Sequence, residues 1–306
     1  MRSTWTCLCG CALLLAFGTC GFGQPLRVVT LHSVVTEIAR DIGGDSVDVK
    51  ALVRPGVDPH GYEPTPTDIR SLQTAEIVLA SGLGLESYLP RIARELPEGI
   101  IVNVGDRLPD NLKLDCADHA HAESSTVNRH HHGEIDPHWW QGIEPMIAAT
   151  RIVESEFMLL RPAQSGTFSR NADAYRDRLR ALQGWARQEV ARLPLDRRLL
   201  VTSHDAFGYL AREHGFILYP ILGTNTATDT SARQLAFIIT IVRRNHIKAV
   251  FAERSGNSRL IQAVVRETGA ALAPPLCADG LSPDPAFATY DSMMRTNLRT
   301  IVDALK

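Results

Sequence analysis

Leu26 to Gly44 reads "LRVVTLHSVVTEIARDIGG". Its first half is rich in apolar and β-branched residues, which favour a short strand, and its second half carries apolar residues at helical spacing. The two glycines at its end stop the helical pattern, as glycine commonly does after a helix. The stretch therefore predicts one strand followed by one helix.

The same scheme repeats along the chain, because apolar β-type runs alternate with helical patterns. Such alternation predicts a mostly parallel sheet with helices on its faces, which is an α/β fold. It restarts after Pro194, so a second α/β lobe is expected. The repeats in the first half are "VDVKALV" (47–53), "TPTDIRSLQTA" (65–75), "EIVLASG" (76–82) and "GIIVNVG" (99–105).

Between the two lobes lies one long helical pattern. Apolar residues keep a spacing of three or four from Phe168 to Leu193, and Pro162 and Pro194 bracket the run. About 30 residues of helix would span about 45 Å, more than one small lobe needs. We therefore expect two lobes joined by one connecting helix. The predicted boundaries are 24–161 for the N-terminal lobe, 162–193 for the helix and 194–306 for the C-terminal lobe.

The N-terminus has the pattern of an export signal. Arg2 precedes the apolar run Cys7–Phe17, and small residues follow it. The run is well short of the roughly 20 residues that a membrane-spanning helix needs. We predict a signal peptide over 1–23 and an exported protein. Lipid anchoring at Cys20 after cleavage just before it is the alternative.

Composition excludes some partners and limits the cysteine chemistry. The 34 acidic residues slightly outnumber the 32 basic ones, so no nucleic-acid-binding surface is expected. Loss of the signal peptide would leave only Cys116 and Cys277. In an oxidising compartment these two could pair across the lobes, or they could remain thiols.

Four polar residues fall where ligands collect in an α/β fold. His60, His204 and Asp279 follow predicted strands, and His138 lies just before a predicted helix. Ligands in open α/β sheets bind beyond the carboxyl ends of the strands, and these four are spread over both lobes. Three imidazoles and one carboxylate suit a four-coordinate Zn²⁺. The four residues suggest a metal site in the cleft between the lobes. Their wide spacing forms no local signature, and roles in turns, caps or loops are the alternative.

The sequence around these residues resembles a known family. It is similar to the metal-binding proteins of high-affinity zinc and manganese ABC importers, in particular to the periplasmic zinc-binding proteins. The resemblance covers nearly all of the chain after the signal. It is carried by "GVDPHGYEPTPTDIRSLQTAEIVLASGLGLESYL" (56–89), "IDPHWW" (135–140), "LLVTSHDAFGYLAREHGF" (199–216) and "DGLSPDPAFATYDSMMRTNLRTIVDAL" (279–305).

The resemblance implies an exported, monomeric receptor and not an enzyme. Its metal ligands would be His60, His138, His204 and Asp279, with a water as the alternative to the aspartate. Manganese-type members carry glutamate where this chain has His204, so the resemblance favours zinc; a manganese receptor is the alternative. The cargo would pass to an inner-membrane ABC permease and its ATPase. Release would follow retreat of the lobe carrying His204 and Asp279.

A zinc-dependent hydrolase is a further alternative from a different class. Such an enzyme keeps one metal position open for water and needs a nearby general base. The chain has no H-E-x-x-H motif, and Glu213-His214 does not complete one. A fourth protein ligand would also close the site. The sequence thus favours a binding protein.

A histidine-rich segment precedes the second motif, over 116–135. It has few apolar residues and no helical or strand period, which predicts a surface loop. Its histidines could gather metal near the cleft or accept it from a zinc donor protein, or they could be a polar insertion only. These auxiliary candidates are His119, His121, His130, His131 and His132.

Other polar residues near the motifs have two possible roles. Aspartates beside the proposed ligands could orient the imidazoles or could serve in turns and caps. Three further histidines lack motif support and are expected to be structural or on the surface. The aspartates are Asp58, Asp136 and Asp205, and the histidines are His32, His214 and His246.

Overall fold

A computed structural model describes residues 24–116, 135–224, 230–254 and 258–306. The predicted signal peptide and the five histidines of the predicted loop lie outside these residues. The N-terminal lobe contains a four-stranded parallel sheet in the order β2-β1-β3-β4, flanked by helices. Its elements are β1 (Leu26–Thr30), α1 (Ser33–Gly43), β2 (Val47–Ala51), α2 (Pro66–Thr74), β3 (Ile77–Ala80), α3 (Leu89–Ile92) and β4 (Ile101–Asn103).

Two helices follow and lead to the second lobe. Helix α4 (Ile143–Leu160) ends just before Pro162, because proline has no backbone N–H and disfavours a helical residue in front of it. A 3-10 turn (Pro162–Gln164) then leads into α5 (Ser165–Ala191). With 27 residues, α5 is about 40 Å long. The long helix predicted from the apolar spacing is present and begins after that turn.

The C-terminal lobe repeats the strand pattern of the first. Strands β5 and β6 pair in parallel, as do β7 and β8, and a parallel bridge between Thr202 and Phe251 joins the two pairs. The predicted two-lobe α/β fold is confirmed. The elements are β5 (Leu199–Thr202), α6 (Gly208–His214), β6 (Ile217–Pro220), α7 (Ala232–Arg244), β7 (Ala249–Val250), α8 (Arg259–Thr268), β8 (Ala271–Leu272) and α9 (Tyr290–Leu305).

Helix α5 touches both lobes. The Tyr175 hydroxyl donates to Glu37 Oε1 on α1 at 2.8 Å. Arg192, which follows the last residue of α5, donates to Asp303 Oδ1 on α9 at 3.1 Å. The Glu37 carboxylate also accepts the Tyr290 N–H at the start of α9, at 2.9 Å. These contacts connect α5 to both lobes and connect the two lobes to each other.

The apolar core runs without interruption from one lobe into the other. Trp139 and Trp140 are fully buried at the boundary between the lobes, together with Tyr209 and Tyr290. Separating the lobes widely would expose these aromatic side chains to water, at a cost of several kcal/mol. The fold therefore favours small movements of the lobes. Among the helices that the structure describes, none has the length and apolar composition to cross a membrane.

Candidate metal centre

His60 lies on the loop that follows β2. Its backbone N–H donates to Asp58 Oδ1 at 2.9 Å. This hydrogen bond stabilises the turn and does not involve the imidazole ring of His60. The His60 side chain is 6% exposed. The loop thus brings one imidazole to the edge of the N-terminal sheet, on the side that faces the second lobe.

His138 lies just before the 3-10 turn Trp139–Gln141 that leads into α4. Asp136 Oδ1 accepts hydrogen bonds from the His138 backbone N–H at 2.9 Å and from ring Nδ1 at 2.8 Å. Because Nδ1 carries the proton, the lone pair of Nε2 is directed to the cleft. Asp136 therefore fixes both the position and the tautomer of this imidazole. Of the two roles expected for this aspartate, it has the one of orienting the ring.

His204 follows β5 in the second lobe and is held in the same way by a different residue. Its ring Nδ1 donates to Glu253 Oε2 at 2.7 Å. Glu253 Oε1 accepts from the backbone N–H groups of Ser203 and His204, at 3.0 and 3.2 Å. The carboxylate behind His204 is thus Glu253 and not the neighbouring Asp205.

Glu253 was not among the site residues predicted from the sequence. The residue stands just past β7, at the end of the apolar run "KAVFAE" (248–253), where the strand-end rule could have found it. It was missed because glutamate there has no local motif, whereas the histidines stand in recognisable ones.

Asp279 completes the cluster from a loop between β8 and α9. Its Oδ1 lies 3.1 Å from His204 Nε2, 3.5 Å from His60 Nε2 and 3.8 Å from His138 Nε2. The Nε2 atoms of His60 and His138 are 3.1 Å apart. The structure thus brings together all four residues that the sequence proposed as ligands.

The size of the cluster matches one small cation. One donor atom from each residue lies within 4.8 Å of every other. Ligand atoms about 2.0–2.1 Å from a tetrahedral Zn²⁺ stand about 3.3 Å apart. The distances given above scatter around that value. The chemistry of the donor set and these spacings therefore suit Zn²⁺.

The electrostatics of the cluster also suit a cation. Burial favours the neutral acid at Asp279, but the neighbouring imidazoles outweigh burial and hold its pKa well below the usual range. Burial disfavours a charge on His204, yet the carboxylates of Glu253 and Asp279 raise its pKa well above the ordinary value. Burial lowers the pKa of His138. The carboxylates of Glu253 and Asp279 thus favour positive charge at the point where a metal would bind.

The remaining histidines differ in their surroundings. His32 is fully buried: its Nε2 lies 3.2 Å from the Asp279 backbone oxygen, and its ring stacks on Trp140 at 4.2 Å. His214 is buried in the second lobe and His246 is exposed. His214 and His246 do not join the cluster.

The two cysteines are not bonded to each other. Cys277 is buried, and its thiol donates to the Gly280 carbonyl at 2.9 Å. Burial raises the pKa of this thiol to about 12, so it stays protonated at neutral pH. Cys116 is half-buried and is not disulfide-bonded to Cys277.

Residues 28–304 match the family described as zinc-uptake complex component A, periplasmic (ZnuA). Since the match spans almost the entire chain after the predicted signal, the protein belongs to this family. Its members are metal-binding receptors of ABC importers, which act with a permease and an ATPase, and are not enzymes. The family predicted from the motifs is confirmed.

Relatives of this chain are named for different metals. The manganese-binding lipoprotein MntA of Bacillus subtilis (strain 168) is 33% identical over 290 residues, which cover 92% of this chain and 90% of MntA. The iron-binding protein YfeA of Yersinia pestis is 29% identical over 285 residues, covering 91% and 86%. The solved structure of the periplasmic zinc-binding protein TroA from Treponema pallidum has a TM-score of 0.82 and 28% identity, covering 92% of this chain and 99% of TroA.

Proposed function

We propose that this protein captures Zn²⁺ at its four-residue cluster and delivers it to an ABC permease. The observation that carries the proposal is the convergence of four ligand atoms within 4.8 Å, from both lobes, at a buried site. Two of the imidazoles have their metal-binding nitrogen selected by a carboxylate behind the ring. The proposed ligands are His60, His138, His204 and Asp279.

Zinc is preferred over manganese on the chemistry of the donor set. Three imidazole nitrogens and one carboxylate oxygen suit Zn²⁺, whereas Mn²⁺ favours harder oxygen ligands. Manganese remains a second candidate because MntA, at 33% identity, is named as manganese-binding. A zinc hydrolase is not supported, since four protein ligands leave no position for a catalytic water.

Location and lobe boundaries are part of the same proposal. Export by a signal peptide over 1–23 is supported by relatives that are named periplasmic proteins or lipoproteins. A lipid anchor at Cys20 is the alternative. The proposed mature protein consists of lobes 24–161 and 194–306 with the connecting helix between them.

Metal analysis and uptake together test the proposal. Protein purified without added metal should contain Zn²⁺, and the metal-free protein should bind one Zn²⁺ per chain in competition with Mn²⁺. Divalent zinc outcompetes manganese at most protein sites, so physiology needs a second measurement. Cells lacking the gene should lose high-affinity uptake of labelled zinc. Loss of manganese uptake with zinc uptake unchanged would assign the protein to manganese instead.

A further inference from the structure

The loop that carries Asp279 is covalently part of the C-terminal lobe, yet side chains of the N-terminal lobe hold it. Trp140 Nε1 donates to the Ala278 carbonyl at 2.8 Å, and Gln141 Nε2 donates to the same oxygen at 2.7 Å. Both donors stand on the turn that follows His138. That turn is tied to the N-terminal sheet, because Trp139 Nε1 donates to Ser81 Oγ at 3.0 Å.

His32 holds the same loop one residue further on. Its Nδ1 accepts a hydrogen bond from the Val34 N–H at 3.4 Å, which caps α1. The proton therefore resides on Nε2, which donates to the Asp279 carbonyl at 3.2 Å. The His32 ring also stacks on Trp140, so the two residues brace each other. Both are fully buried, where such bonds are hard for water to replace.

Two backbone groups extend this attachment beyond the ligand. The Leu281 N–H donates to Ser33 Oγ at 2.8 Å, and the Leu281 carbonyl accepts from the Gly56 N–H at 2.7 Å. Gly56 lies on the loop that bears His60. Asp279 is thus flanked on both sides by contacts to the lobe that supplies His60 and His138.

The attachment to the second lobe lies on either side of Asp279: at Cys277, and further along at Asp284, which pairs with Arg254 at 3.3 Å. Asn297 on α9 accepts from the Cys277 N–H at 2.9 Å and donates to the Cys277 carbonyl at 2.8 Å. This pair fixes the point where the loop leaves the C-terminal lobe. His204, in contrast, is braced by Glu253 within the C-terminal lobe itself. The two ligands of this lobe are therefore supported by different halves of the molecule.

We infer that His32 and Trp140 are positioning residues that keep Asp279 with the N-terminal lobe, so that His60, His138 and Asp279 form a three-ligand half-site. When the lobes separate, His204 withdraws with Glu253 and Asp279 stays behind. This differs from release by joint retreat of His204 and Asp279, which the sequence led us to expect. The inference rests on the proposed function, because it assigns roles to the ligands of the same metal site.

The test compares two tryptophans. Trp140→Phe removes the N–H that reaches Ala278. Trp185→Phe is the control: this ring lies partly buried on α5 beside Arg295 and Arg299. Zn²⁺ affinity is measured by chelator competition. Trp140→Phe should weaken Zn²⁺ binding about tenfold. This is the low end of the loss in affinity seen when a residue that supports a metal ligand is replaced. Trp185→Phe should change binding by less than about threefold, because its contacts reach neither the proposed ligands nor the residues that hold them.

Double variants separate a positioning role from a general loss of packing. In the Asp279→Ala background, Trp140→Phe should have no further effect, because the ligand that it positions is gone. In the His204→Ala background, it should weaken binding as much as in the wild type. His32→Asn serves as an independent variant, since asparagine retains the helix cap but is too short to reach Asp279. It should behave like Trp140→Phe.

Failure of the inference and failure of the proposed function give different results. Equal effects of Trp140→Phe in the two ligand-deleted backgrounds, or equal effects of the two tryptophan variants, would overturn the inference while wild-type protein still binds Zn²⁺. Wild-type protein that binds no divalent metal would overturn the proposed function and the inference with it.

Discussion

Glu253 and His204 are joined by two hydrogen bonds at the end of β5. The ring Nδ1 donates to Glu253 Oε2 at 2.7 Å, and the other carboxylate oxygen accepts the backbone N–H of His204 at 3.2 Å. One carboxylate thus fixes both the main chain and the tautomer of a proposed ligand. Both side chains are 1% exposed, so water does not compete for these bonds.

Glu253→Gln should lower Zn²⁺ affinity by about tenfold or more, the range seen when a carboxylate behind a metal-binding imidazole is altered. The amide is a weaker acceptor for the ring N–H, and its NH2 group would face a backbone N–H. The measurement is chelator competition at pH 7, where the imidazole ligands of the wild type can bind metal.

Glu213→Gln is the matched control for that variant. Glu213 is another carboxylate of the C-terminal lobe; it accepts the backbone N–H groups of Ile143 and Glu144 at the start of α4, at 3.0 and 2.8 Å. This variant should lower thermal stability without changing Zn²⁺ affinity. If Glu253→Gln binds Zn²⁺ as tightly as Glu213→Gln does, the positioning role of Glu253 is wrong.

The sequence predicted the alternating fold from its apolar patterns, and it predicted the four cluster residues from their positions near strand ends together with the resemblance of their motifs to a known family. Strands and helices leave periodic apolar patterns, and residues at strand ends meet at the same edge of a sheet. His204 stands just after β5, and His60 lies on the loop that follows β2. Their convergence with Asp279 is therefore largely a consequence of topology, which the pattern captures.

The sequence did not predict what holds the ligands in place. Glu253 and His32 reach the site across the sheet or across the lobe boundary, and no local pattern records such contacts. His32 has no motif around it, although the structure buries it against Asp279 and Trp140. Supporting contacts of this kind depend on how the lobes pack, which periodicity does not encode.

Binding of Zn²⁺ should raise the melting temperature of the metal-free protein. A ligand that binds only the folded state stabilises it by about 2.7 kcal/mol when its free concentration is 100 times Kd. For a chain of this size, that corresponds to a shift of several degrees. Calorimetry of chelator-treated protein, with and without Zn²⁺, measures the shift.

His204→Ala should lose most of this stabilisation, because it removes one of the four proposed ligands. His246→Ala removes an exposed histidine outside the cluster and should keep the full shift. Equal shifts in the two variants would count against His204 as a ligand.

Replacing the five histidines of the segment 116–135 should leave high-affinity binding intact. The four proposed ligands lie outside that segment and already provide a complete shell. Titration of a variant with serine at these positions should show one tight Zn²⁺ site and fewer weak sites than the wild type. Loss of the tight site would assign that segment to the primary centre. The replaced residues are His119, His121, His130, His131 and His132.

The metal-free protein should lose stability between pH 7 and pH 5, in part through His214. This side chain is 6% exposed, and burial together with the nearby charges of Arg187 and Arg198 lowers its pKa from 6.5 to about 4. As the pH falls below 6.5, the unfolded chain takes up a proton at His214 that the folded chain refuses, so the free energy of unfolding decreases. The decrease stops once the pH is below about 4. Linkage gives a loss of about 2 kcal/mol between pH 7 and pH 5 from this residue alone.

Urea unfolding of chelator-treated protein at the two pH values isolates this contribution. His214→Gln lacks the titrating group, so its free energy of unfolding should fall by about 2 kcal/mol less than that of the wild type over the same interval. His246→Gln, at an exposed position, is the control for replacing a histidine by glutamine. Chelation is required, since release of metal in acid would otherwise add its own pH dependence. Identical losses in wild type and His214→Gln would show that His214 accepts its proton in the folded state at ordinary pH, contrary to its burial beside two arginines.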